Sequence, residues 1–96
     1  MTLHVALTVR NPSDVNTVAD LLAEHARLSR AEPGCVRFEL FQSREEPQVF
    51  FIIEDWESSA ALDAHREAAA FTTIYLPRVL PLVERRAEEV ASIGQG

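Results

Sequence analysis

Leu3, Val5, Leu7 and Val9 alternate with His4, Ala6, Thr8 and Arg10, the period-two pattern of a strand with one strongly apolar face. Asn11 precedes Pro12, an N-cap followed by proline at the first helical position, so a helix is predicted to start there. Its apolar stripe is Val15, Val18, Ala19, Leu22, Ala26 and Ser29, widened by Leu21, with Asp20, Glu24 and Arg27 on the wet side. Glu32-Pro33-Gly34 ends it, because the residue before proline avoids helical angles and glycine accepts the turn. A second strand comes next, with Val36, Phe38 and Leu40 alternating against Cys35, Arg37, Glu39 and Phe41; the polar stretch 42–48, containing Pro47, reads as a long hairpin connection. Val49-Phe50-Phe51-Ile52-Ile53 is the third strand, running on into Glu54-Asp55-Trp56-Glu57. Ser58 can cap a helix through Ala60, Ala61, Leu62, Ala64 and His65. Phe71, Ile74, Tyr75 and Arg78 continue a helical face toward Pro77 and Pro81, as two short helices or one broken one.

The tail poses a conflict. Residues 84–90 have helical propensity, yet the order β-α-β-β-α lacks its last strand. Tertiary context overrides propensity often enough that topology takes precedence, and a strand is predicted there. The fold class is therefore α+β: a ferredoxin-like βαββαβ chain with a four-stranded antiparallel sheet, read as one domain over residues 1–96.

The run 49–53 adds a partner. A half-exposed strand alternates, whereas this one is apolar at successive positions, so both its faces must be covered. A chain of 96 residues has little mass to do this alone, and a homodimer is expected, one face packing on the helices and the other on a second copy. Ile52 and Ile53 should then point to opposite faces. The net charge of -6 opposes nucleic acid and anionic membrane surfaces, which select clustered cations. Nothing approaches membrane-spanning length, no basic leader precedes an apolar segment, and the single cysteine, Cys35, cannot form an intrachain disulfide. A cytoplasmic protein is expected.

The residues Glu32-Pro33-Gly34-Cys35-Val36-Arg37-Phe38-Glu39-Leu40, then Phe51-Ile52-Ile53-Glu54-Asp55-Trp56-Glu57, then Ala60-Ala61-Leu62-Asp63-Ala64-His65, then Phe71, resemble the antibiotic biosynthesis monooxygenase (ABM) domain family, including its quinol monooxygenase-like members. The resemblance implies a dimeric α+β barrel, and in some members oxidation of phenols or hydroquinones by dioxygen without metal or flavin. Two departures stand out. Many relatives carry a histidine immediately before the phenylalanine of the second helix, where this chain has Ala70. Haem-degrading relatives use an asparagine on the first strand, which here offers His4, Thr8 and Arg10.

Oxygenation without a cofactor requires a substrate that supplies its own electrons, and a protein that supplies a dry pocket, a base and a donor for the developing oxyanion. His65, one turn after Leu62 on the buried side of its helix, is the candidate base, since imidazole titrates near neutrality. Trp56 can form an aromatic wall and present its indole N–H, or simply anchor the second helix in the core. Phe71 and Tyr75, one turn apart, can line a slot for an aromatic substrate or pack as core; His25, inside the apolar stripe of the first helix, is a weaker candidate, as is His4 on the other face of strand one. Arg37 and Glu39, together with Glu54 on the face of Phe50, Ile52 and Trp56, read as a charged network at the dimer contact. Cys35 has no adjacent base, the histidines lack metal-ligand spacing, and three glycines form no phosphate loop, so no cofactor and no metal are expected. The expected function is a cofactor-independent monooxygenase acting on an electron-rich aromatic, a hydroquinone or polyketide phenol, with dioxygen. The alternatives are a non-catalytic small-molecule binding dimer and a cofactor-free isomerase-like proton-transfer enzyme.

Overall fold

The computed structural model describes residues 1–94; positions 95 and 96 of the span read as one domain lie outside the described residues. The elements run β1 (Thr2–Val9), a 3₁₀ turn (Pro12–Asp14), α1 (Val15–Arg30), β2 (Cys35–Gln42), β3 (Val49–Trp56), α2 (Ser59–Glu67), a π-helix (Ala70–Val79), a second 3₁₀ turn (Leu80–Leu82) and β4 (Val83–Val90). The strands form one antiparallel sheet in the order β2-β3-β1-β4, the ferredoxin-like arrangement.

Helices cover one face of the sheet, and the strand alternation selects which side chains enter the core between them. Leu3, Val5, Leu7 and Val9 of β1, Phe38 of β2 and Phe50, Ile52 and Trp56 of β3 are buried against Val18, Leu22 and Ala26 of α1 and Leu62 of α2. The other face of β3 carries Phe51 and Ile53, and β1 places His4, Ala6 and Thr8 beside them. The apolar run 49–53 thus supplies both faces of the sheet.

Three local features depart from the pattern. Asn11 does cap through its side chain, accepting from the Ser13 N–H at 3.0 Å, but it opens a 3₁₀ turn, and the α-helix proper begins at Val15. Val36 does not join Phe38 and Leu40: a β-bulge between Cys35 and Arg37 turns it outward, where it is 65% exposed. The region after α2 is a separate element, because Ala68 takes an extended ψ of 163° and breaks the α-helix before the π-helix starts.

β4 is a strand along the full length of β1, from Val9↔Val83 to Thr2↔Val90. Its sequence favours helix by only a few tenths of a kcal/mol per residue, and a helix there would have little beyond Ala87 and Val90 to bury. As a strand it satisfies the edge of β1, whose buried Leu and Val positions fix β1 in the sheet and whose backbone groups need partners.

Candidate functional site

The period of two in β3 aligns Glu54 with Ile52 and Trp56, on the face under the helices. Ser58 then caps α2, its Oγ accepting from the Ala61 N–H at 3.1 Å, and this start sets the phase that turns Leu62 and His65 inward. Gly34 seats the Glu-Pro-Gly turn against α2. Its φ is +82°, and an added Cβ would stand 2.5 Å from the Ala61 Cβ, so only glycine permits the approach. The Gly34 carbonyl also accepts from the Glu57 N–H at 2.8 Å. This close seating brings Glu32 to His65, whose Nδ1 lies 2.6 Å from Glu32 Oε1.

The residues read from the sequence as site candidates converge. The His65 ring lies 4.5 Å from that of Trp56 and 5.7 Å from that of Phe71. Tyr75 is 5.3 Å from Phe71 and stacks on His25 at 4.6 Å, with 14° between the planes. His25 and His65 approach to 5.5 Å. His4 does not join them, since it sits on the opposite face of the sheet.

Three further residues complete the cluster. Glu32 is invisible from its sequence neighbours, because only packing of the turn on α2 reveals its partner. Glu54 is legible as a face-mate of Trp56 by its spacing of two, but not as part of an interface network: Arg37 and Glu39 pair with each other on the open face, where Arg37 also lies 3.9 Å from Asp55, and Glu54 is buried on the other side of the sheet. Arg85 enters through the register of β4, which places it opposite Leu7 on the helix side and lets its Nε–H donate to Tyr75 Oη at 2.9 Å. The indole N–H of Trp56, one of whose two readings is a donor to an oxyanion, is donated to Glu54 Oε1 at 2.9 Å.

The hydrogen bonds fix proton positions. A carboxylate only accepts, so Nδ1 of His65 carries a hydrogen toward Glu32, and in the neutral imidazole the Nε2 lone pair is free. A carbonyl only accepts, so His25 likewise donates from Nδ1 to the Ala70 carbonyl, 3.2 Å away. Burial pulls the His25 pKa down to about 4 against the opposing hydrogen bond to the Ala70 carbonyl, so His25 is neutral at pH 7. Burial raises the Glu54 carboxyl above its ordinary range, opposed by the Trp56 N–H, by His65 when it is protonated, and by the charges of Arg85 and Arg66. Tyr75 is also raised by burial; since Arg85 donates to its oxygen, its own O–H is available to donate.

These groups surround a small cavity of about 10 Å³, lined among others by His25, Glu54, His65, Phe71, Tyr75 and Arg85. That is about the space of one water molecule, and an aromatic ring enters only if the surrounding helices yield. Among the described residues no sealed polar side-chain atom lacks a partner, so the free nitrogens of both histidines open on this space or on solvent. No group of three or more His, Cys, Asp or Glu among the described residues is placed to hold a metal ion, and no helix is long and apolar enough to cross a membrane.

On the other face of the sheet His4, Ala6, Phe41, Phe51, Ile53 and Arg86 line an open depression of about 550 Å³. Phe41 and Phe51 are 45% and 42% exposed, an aromatic pair on the face of the sheet that the helices leave open.

Known proteins share this outline. The family model for antibiotic biosynthesis monooxygenase matches residues 1–75. YcnE of Bacillus subtilis (strain 168), a protein named as a candidate monooxygenase, is 38% identical over 53 residues, which cover 55% of this chain and 53% of YcnE. An uncharacterised protein of Synechocystis is 37% identical over 43 residues, covering 45% of this chain and 29% of its own length. The matched segments thus span about half or less of the curated relatives. Among solved structures, a protein of unknown function from Bacteroides thetaiotaomicron, described as a possible oxidoreductase, superposes with a TM-score of 0.83 at 29% identity over 91% of this chain and 90% of its own. A structure described as an antibiotic biosynthesis monooxygenase superposes with a TM-score of 0.85 at 26% identity over 97% and 99%. With the family model matching most of its length and the fold shared end to end, this chain belongs to the antibiotic biosynthesis monooxygenase family.

Proposed function

We propose that the chain is a cofactor-independent monooxygenase that oxidises an electron-rich aromatic, a hydroquinone or polyketide phenol, with dioxygen. The observation that carries this reading is the part-buried Glu32–His65 pair, whose imidazole lines one small cavity together with Glu54, Tyr75 and His25. In this reading His65 takes a phenolic proton, and Glu32 stabilises the imidazolium that forms. The phenolate gives one electron to dioxygen, and the resulting superoxide and semiquinone combine in a new C–O bond. Cleavage of the O–O bond then leaves one oxygen on the ring and releases the other as water; for a hydroquinone, QH₂ + O₂ becomes the hydroxyquinone plus H₂O, and the substrate itself supplies every electron. Glu54, whose proton burial favours, donates toward the departing oxygen, and the Tyr75 O–H faces developing negative charge. Trp56 serves as the wall that holds Glu54, and Phe71 and Tyr75 flank the ring.

The working unit in this proposal is a homodimer of single-domain chains joined through the open sheet face. The exposed Phe41 and Phe51 support it. A second reading, a binding dimer without catalysis, draws on the size of the depression on that face and the closure of the inner cavity.

Oxygen uptake with a panel of hydroquinones tests the proposal. Uptake with hydroxyquinone formation is expected, and His65→Ala should lower it roughly 10²- to 10⁴-fold at pH 7. The deficit should shrink above the substrate's own pKa, where the phenolate forms unaided. Binding without uptake would favour the second reading, and proton exchange on a carbonyl compound without uptake would favour an isomerase-like enzyme.

A further inference from the structure

His25 is costly to bury and packing does not require it. It sits in the apolar stripe of α1 at 1% exposure, where a leucine would fill the same space. Two contacts fix its plane, the stacked Tyr75 ring at 4.6 Å and the edge contact with Phe38 at 5.3 Å. Its Nδ1–H is committed to the Ala70 carbonyl at the first residue of the π-helix. There remains Nε2, a lone pair with no protein partner on a ring that lines the cavity. It can accept a hydrogen bond and cannot donate one.

Resting on the proposed reading of this site, we propose that His25 is a specificity-determining residue: its Nε2 accepts a hydrogen bond from a second hydroxyl of the bound aromatic, the one His65 does not deprotonate, so that the site selects dihydroxy aromatics over their monoalkyl ethers. The two rings lie 5.5 Å apart, centre to centre, both line the cavity and both carry a hydrogen on Nδ1, so a substrate admitted when the helices yield would meet two neighbouring imidazoles with its two O–H groups. Burial keeps His25 uncharged at pH 7, which leaves it an acceptor rather than a proton donor there. An ether oxygen would leave the buried lone pair unpaired, and sites built to bind a hydroxyl reject analogues lacking it for that reason.

The test is binding under nitrogen, where no turnover occurs, using hydroquinone and 4-methoxyphenol with the wild-type protein and His25→Phe, which keeps a stacking ring and removes both nitrogens. The wild type should bind hydroquinone roughly 10- to 100-fold more tightly than the ether, and His25→Phe should bring the ratio near one by weakening hydroquinone alone. A folded variant with an unchanged ratio overturns the proposal, as does failure of the wild type to bind either compound. Should His25→Phe not fold, ¹⁵N spectra of histidine-labelled wild type decide: the Nδ1–H tautomer of His25, with Nε2 responding to hydroquinone and not to the ether, is expected, and the opposite tautomer or no response overturns it. Oxygen uptake is scored separately. The expected binding ratio without uptake would remove the monooxygenase reading and leave His25 as a selecting acceptor.

Discussion

Acidification should destabilise this protein in a window set by His25. In the unfolded chain the imidazole titrates near 6.5, whereas burial holds it at about 4 in the folded protein. Between those values the unfolded state binds a proton that the folded state refuses, so stability falls as pH drops from about 6.5 toward 4 and is level with respect to this group on either side. The gap corresponds to roughly 3 kcal/mol, a large share of the roughly 5–15 kcal/mol that holds a typical domain. Glu54 acts with the opposite sign. Its folded pKa is raised, so as pH falls through that raised value toward the ordinary 4.5 the folded state takes up the proton first and gains stability. Urea unfolding at one protein concentration, in steps from pH 7.5 to 4, measures the sum. The informative quantity is the difference between variants, since exposed carboxylates contribute alike to all. His25→Phe should flatten the decline between pH 6.5 and 4, and Glu54→Gln should steepen it. Parallel curves for wild type and His25→Phe would refute the assignment of a buried neutral histidine.

Other substitutions probe the sheet, the turn and the acid–base pair. Ile52 is 1% exposed under the helices and Ile53 lies on the open face, so Ile52→Asp should abolish folding by burying an uncompensated charge, while Ile53→Asp should fold by circular dichroism and sediment as a monomer. Both tolerated, or both unfolded, would contradict the two-faced role of β3. Gly34→Ala forces a side chain into positive φ and against Ala61, and should lower stability by about 1–3 kcal/mol in thermal or urea unfolding. Glu32→Gln should leave the fold intact and reduce hydroquinone turnover roughly tenfold or more, because a neutral amide no longer stabilises the His65 imidazolium; unchanged turnover would remove Glu32 from the mechanism.

The strands and most of the core are legible in the sequence because their signal is local. Leu3 to Val9 alternate cleanly, and Ser58 announces α2 with a cap that the structure shows making its bond. The order of elements predicts β4 even against its own propensity, since an antiparallel sheet of this connectivity leaves β1 with a free edge. Departures occur where geometry is decided by something other than periodicity. A bulge inverts Val36, a 3₁₀ turn intervenes between the Asn11 cap and α1, and the ten residues of the π-helix have no spacing rule that separates them from a broken α-helix. The site divides in the same way. His65, Trp56, Phe71, Tyr75 and His25 lie on recognisable inward faces, whereas the Glu32–His65 pair joins residues 33 positions apart through a turn seated on a helix. The indole N–H of Trp56 could be predicted to need a partner, but that Glu54 takes it depends on knowing which face of β3 the helices cover.

β3 and β4 each serve two surfaces, and their registers keep the surfaces separate. On β3, Ile52, Glu54 and Trp56 look into the helical layer while Phe51, Ile53 and Asp55 look out. On β4 the pairing Leu7↔Arg85 sends Arg85 inward to Tyr75, and the pairing Ala6↔Arg86 sends Arg86 outward to the open depression. A slip of one residue in β4 that set Arg85 opposite Ala6 would turn it to the open face and bring Glu84 opposite Leu7 on the helix side. Tyr75 would lose the donor that directs its hydroxyl hydrogen away from Arg85, and Glu54 would lose a nearby positive charge that moderates its raised pKa. Val83, buried opposite Val9 at the start of the strand, opposes the slip, because the shift would set it opposite Thr8 on the open face and bury the Glu84 charge opposite Leu7. The chemistry around Tyr75 and Glu54 therefore depends on one apolar residue on the same face of β4 as Arg85, in a segment whose composition alone reads as helix.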